Sequence, residues 1–173
     1  MGGGLKSWCG LHKALFVLQA ELVLICIPAS CESRPEEHTV STFDTKRLPV
    51  APDAIAPDGS HVRMLLALKG GGLAHFELGP GETSIAIAHR TVEEIWFVLS
   101  GRGEMWRKQG DREQIVPIDA GLSLTIPLGT QFQFRSLGDE PLAAIGVTMP
   151  PWPGENEAFE VQGAWTPTAK RGS

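Results

Sequence analysis

Few residues in this 173-residue chain have the type and spacing to do chemistry. His89 and Glu94 stand out. A carboxylate beside an imidazole raises the imidazole pKa into the range useful for proton transfer, so the pair could act as acid and base or orient a bound molecule. Buried together, the two would also satisfy one another with no activity at all, because a buried carboxylate needs a partner. His75, in Leu73-Ala74-His75-Phe76-Glu77-Leu78, shares a face with Glu77 opposite the apolar Ala74, Phe76 and Leu78, which points it outward. His61 follows Asp58-Gly59 and reads as solvated. Other chemistries are missing. Cys9, Cys26 and Cys31 all lie in the first 31 residues, so the rest of the chain offers no thiol nucleophile, Cys-based metal site or disulfide. Gly70-Gly71-Gly72 precedes a strand rather than a helix and reads as a turn, not a phosphate loop. No Ser-centred nucleophile elbow occurs. With 15 Lys+Arg against 20 Asp+Glu, a net charge of −5, the chain lacks the basic face that nucleic acid requires.

The elements that must position His89 and Glu94 are short strands. Gly 20 and Pro 13 make a turn-rich composition, and no ten-residue stretch after His61 sustains an apolar helical period. Strand-like runs occur at 63–69, 73–78, 83–89, 94–99, 103–107, 114–118, 122–126, 131–135 and 142–148. Turn signals such as Gly79-Pro80-Gly81, Gln109-Gly110-Asp111 and Pro127-Leu128-Gly129 separate them. This spacing indicates an all-β sandwich or barrel. After Glu94, Ile95-Trp96-Phe97-Val98-Leu99 is apolar on both faces. One face suits a barrel interior. The other needs a cover, either an N-terminal strand or a second subunit, and a homodimer is the economical expectation.

Four regions follow. Residues 1–38 combine a basic start, an apolar stretch from Ala14 to Ile27 and the small-residue exit Ala29-Ser30-Cys31, a signal-like pattern interrupted by Glu21 and Pro28. The other reading is a non-native extension. If residues 1–31 act as a signal, the protein is exported or held at a membrane through that segment; otherwise it is cytoplasmic. Residues 39–60, with Pro49, Pro52 and Pro57, form an extended lead-in, 61–149 the barrel, and 150–173 a tail. Within the tail, Met149-Pro150-Pro151-Trp152-Pro153-Gly154 is stiff and suited to cap a barrel mouth or pack on a neighbouring subunit, and the last twenty residues are expected to fray.

Gly81-Glu82-Thr83-Ser84-Ile85-Ala86-Ile87-Ala88-His89, then Glu94, then Gly101, resembles the first motif of the cupin family. Gly121, Pro127 and Gly129 resemble the second. The resemblance spans residues 61–149 and implies a double-stranded β-helix, or jelly roll. In metal-binding cupins four inward side chains hold a divalent metal, and the matching positions here are Ile87, His89, Glu94 and Phe132. Two of the four are apolar. Two ligands rarely hold a divalent ion, so the expectation is a degenerate metal site with only His89 and Glu94 retained, and no cofactor. The alternative is a dioxygenase or a sugar isomerase or epimerase, with Fe, Mn, Ni or Zn held by an atypical set drawn from His89, Glu94, Gln131 and His75.

On that frame Trp96 shares the inward face of Glu94, and Phe134 that of Phe132. Ile87, Trp96, Val98, Phe132 and Phe134 would line a small-molecule pocket with His89 and Glu94 as its polar features, supported by Gln131 and by Arg135 at the mouth. The competing reading is an interior packed with those same side chains. Arg102, Glu104, Arg107 and Lys108 read as a solvated charged hairpin.

Overall fold

A computed structural model describes residues 43–171; the signal-like segment 1–38 lies outside the described residues. The described residues contain strands and turns but no helix. Eleven strands run in chain order: β1 (Ala54–Ile55), β2 (His61–Leu68), β3 (Gly71–Leu78), β4 (Ile87–His89), β5 (Glu93–Ser100), β6 (Arg102–Gln109), β7 (Arg112–Asp119), β8 (Ser123–Ile126), β9 (Gln131–Ser136), β10 (Leu142–Met149) and β11 (Ala158–Glu160). They form two antiparallel sheets, ordered β1-β2-β3-β10-β5-β8 and β11-β4-β9-β6-β7. The all-β architecture and the nine strand-like runs match the sequence reading, with run 83–89 shortened to β4 and β1 and β11 added.

Alternation dictates which side chains face inward. Along β5, Glu94, Trp96 and Val98 are buried while Ile95, Phe97 and Leu99 remain 43%, 47% and 43% exposed. The inward apolar residues of both sheets meet in one core that includes Leu78, Ile87, Trp96, Val98, Met105, Ile118, Phe132, Phe134 and Leu142. The outer side of β5 is exposed, and no N-terminal strand covers it among the described residues. The turns are closed by the framework glycines, with φ of +70° at Gly81, +77° at Gly101, +92° at Gly121 and +81° at Gly129, values that L side chains rarely adopt.

The second sheet has a cover, and it is the tail. Thr168 and Ala169 donate backbone bonds to the Thr83 carbonyl, and the Thr83 N–H donates to Thr168 Oγ1. Gln133, on the outer face of β9, is fully buried beneath Gly163 and Trp165. Its amide donates to the carbonyls of Ser84 (2.8 Å) and Trp165 (2.9 Å) and accepts from Trp165 N–H (2.9 Å). The expectation that the last twenty residues fray is therefore wrong up to Arg171, which pairs with Glu160. Composition hid this docking because it rests on bonds between residues far apart in sequence.

Candidate functional site

β4 and β9 run side by side with Ile87 opposite Phe132, so the two apolar replacements at the expected ligand positions lie next to each other. His89 lies two residues beyond Ile87. Glu94 enters from the other sheet on β5, with Thr148 and Ile126 as its cross-strand neighbours.

Aromatic rings fill the space between the sheets. Trp96 stacks on Phe76 with centroids 5.1 Å apart and planes 9° from parallel, and meets Phe134 edge-on at 5.1 Å and Phe132 at 6.3 Å. Gly146 makes the stack possible, since a Cβ there would approach the Phe76 ring to 2.6 Å and Trp96 Nε1 to 3.1 Å. Ile87, Trp96, Val98, Phe132 and Phe134 thus belong to one packed core instead of walling an open cavity. Gln131 and Arg135 do not join them. β9 carries no bulge, so strict alternation turns both outward. Gln131 lines an outer cleft with Trp106, Lys108 and Gly163. Arg135 donates two bonds to Glu104 and lies 4.3 Å above the Trp165 ring. His75 also faces outward as read, yet it is buried, because Arg63 reaches across it to the Val50 carbonyl and to Glu77.

His89 and Glu94 are both buried, but no bond joins them. Glu94 Oε2 instead accepts from Trp96 Nε1 at 2.7 Å. Burial raises the Glu94 pKa to about 7; the Trp96 bond opposes the rise and the buried Asp58 carboxyl adds to it. Burial lowers His89 to about 4, opposed by the charge of Glu157. The expectation that a neighbouring carboxylate lifts the imidazole pKa is thus reversed. Desolvation outweighs the charge effect and drives both groups toward their neutral forms. Near neutral pH, Glu94 is poised between protonation states and the imidazole is uncharged.

The His89 ring packs edge-to-face with Phe132 and Trp152, each with centroids 5.3 Å away. Trp152, from the proline-rich segment, thus lies against the His89 ring while remaining 39% exposed. His89 is 6% exposed and its Nδ1 has no hydrogen-bond partner. Two further residues escaped the sequence reading. Asp58 is buried, accepts from Ser60 N–H (2.8 Å) and Oγ (2.6 Å), and had registered only as part of an Asp-Gly turn. Glu157 accepts from Thr91 N–H, Thr91 Oγ1 and Val92 N–H, and fixes the turn between β4 and β5. Burial pushes its pKa up, yet those bonds outweigh it and hold the carboxyl low. Nothing in the sequence around Glu157 signals this.

A divalent metal does not fit this donor set. Among the described residues no group of three or more His, Cys, Asp or Glu side chains assembles. Glu94 is engaged by Trp96, and Ile87 and Phe132 fill the remaining places.

Two antiparallel sheets, glycine-closed turns and an inward His and Glu on β4 and β5 define a double-stranded β-helix. The chain belongs to the cupin family: residues 74–148 match the family described as Cupin domain. It is 32% identical over 107 residues to the uncharacterized protein MJ1618 of Methanocaldococcus jannaschii, an alignment covering 59% of this chain and 82% of that one. Similar solved structures include the capsular polysaccharide assembling protein CapF of Staphylococcus aureus (TM-score 0.54, 18% identity, 68% of this chain and 35% of that one). Another is oxalate decarboxylase of Bacillus subtilis (TM-score 0.55, 18% identity, 63% and 29%). This chain thus spans about a third of the length of those two proteins, and the likeness is one of fold.

Proposed function

We propose that this cupin binds a small molecule at the His89 end of the barrel, beneath Trp152, without a four-ligand metal centre. The unpartnered Nδ1 of His89 carries the reading. A buried polar atom left without a bond costs roughly 1–3 kcal/mol, and a ligand that supplies the missing partner recovers it. The surroundings set the ligand's character: an apolar body to lie against Phe132 and Trp152, and one polar group to meet the neutral imidazole. Trp152 must swing aside to admit it. Glu94 supplies proton chemistry on its own account, because a carboxyl of pKa about 7 can give or take a proton near neutral pH. The imidazole serves as a hydrogen-bonding group and not as the base.

The metal-dependent alternative would need a third and fourth donor. Gln131 and His75, the residues considered for those places, both face away from the interior.

A thermal-shift screen of small aromatic and sugar-like compounds on the full chain, repeated on His89→Phe, tests the proposal. Stabilisation that vanishes in the variant supports it. A screen in which no shift depends on His89 sinks it. Near one equivalent of Fe, Mn, Ni or Zn per chain, measured by mass spectrometry on protein purified without a His tag, would overturn the metal-free part.

A further inference from the structure

The β6–β7 hairpin carries a second feature, separated in the sheet from the His89 strand β4 by β9. Cross-strand partners share a face, and here the pairs are Arg107 with Gln114 and Gln109 with Arg112. One face of the hairpin end therefore presents two guanidiniums and two amides. With Thr125 and Thr130 they line a pocket of about 90 Å³ that includes no acidic side chain. That volume holds several waters, and so a group the size of a carboxylate or phosphate. Lys108 stands at its rim, with its charge engaged by Glu113 at 3.6 Å.

Arg107 is anchored from one side only. Its Nη1 donates to the Thr125 carbonyl at 2.6 Å, while its buried Nε has no partner. Burial and the nearby Arg112 both disfavour its charge. In a chain of net charge −5, two converging arginines without a facing carboxylate are a cost that an anion would offset.

We propose that this pocket is a binding site for a small oxyanion, held by Arg107 and Arg112 with Gln114 and the threonine hydroxyls as further donors, Gln109 being tied to the Leu128 carbonyl at 2.9 Å. Guanidinium groups suit oxyanions because their N–H donors lie in a plane that matches a carboxylate or two phosphate oxygens. The hairpin read from sequence as a solvated charged surface thus divides by strand alternation. On one face Glu104 pairs with Arg135 and Lys108 with Glu113, and on the other Arg107 and Arg112 converge.

Isothermal titration of the full chain with inorganic phosphate and, separately, with malonate at low ionic strength tests the site. Saturable binding of either anion is expected, and the tighter of the two identifies the oxyanion geometry that the pocket takes. Arg112→Gln, an exposed change near the hairpin turn, should weaken it roughly tenfold or more, as expected for loss of a charge-assisted bond. Arg107→Gln should abolish it. Added salt should weaken it by screening, and anion addition should move the Arg107 Nε–H resonance. No saturable uptake of either anion overturns the proposal, as does uptake unchanged in Arg112→Gln.

Discussion

Gln133 and His89 are both buried polar side chains of the second sheet, on opposite faces of it. Gln133 lies beneath the tail and makes three bonds, two donated and one accepted. His89 lies at the end of the interior, against two aromatic rings, and its Nδ1 makes none. Burial is near complete in both, so burial does not separate them. The difference lies in satisfaction. A buried amide with every neighbour paired holds two layers of the fold together, whereas a buried imidazole with an idle nitrogen destabilises the molecule until something binds it.

The largest effect should come from breaking the satisfied side. Gln133→Ala strands the Ser84 carbonyl and both polar backbone groups of Trp165, and should cost roughly 4 kcal/mol in denaturant unfolding. His89-dependent ligand binding should survive in the fraction that stays folded. A loss below 1 kcal/mol would show that the tail is held by other contacts.

Next comes pH. Glu94 is raised from 4.5 to about 7 on folding, so its contribution to stability is full below pH 4.5 and lost as pH rises to 7. His89 is lowered from 6.5 to about 4, so its contribution is full above pH 6.5 and lost as pH falls to 4. Between pH 4.5 and 6.5 the two slopes oppose, and the native protein should show little dependence. Glu94→Gln should unmask a loss of about 3 kcal/mol on acidification, and His89→Phe a loss of similar size on alkalinisation. Unfolding midpoints across this range measure both, and flat profiles in both variants would refute the opposed shifts.

At a fixed pH near 8, where the imidazole is neutral in both the folded and the unfolded chain, His89→Phe should stabilise the fold by about 1 kcal/mol while ligand binding disappears, because an idle buried nitrogen is removed. The smallest effect belongs to Trp152→Ala. Its stability change should stay within about 1 kcal/mol, and stopped-flow binding should show faster ligand entry through the uncapped end.

Much of the fold was legible because alternation and turn glycines are local signals. The cupin resemblance implies inward places for Glu94 and Phe132, and strand alternation then carries Trp96, Val98 and Phe134 inward with them. β11 was not legible. Its three residues show no alternation, and pairing with β4 rests on Glu157 reaching back to Thr91 and Val92. The position of His89 and Glu94 on inward faces was readable, but their electrostatics were not. Spacing brings an imidazole and a carboxyl to one interior without saying whether they bond, and here Trp96 Nε1 takes the carboxylate first. The pocket anticipated from apolar side chains became a packed core for a related reason, since side-chain type fixes which residues face inward but not how much space they leave.

The docking of the tail on the outer face of β9 bears on how the molecule is made. Residues 163–169 supply the cover for Gln133 and the bonding partners of Thr83. Those residues emerge from the ribosome some thirty positions after β9. Until then the Gln133 amide on the second sheet lacks its Trp165 partners. Completion of this layer therefore follows synthesis of its neighbour instead of accompanying it.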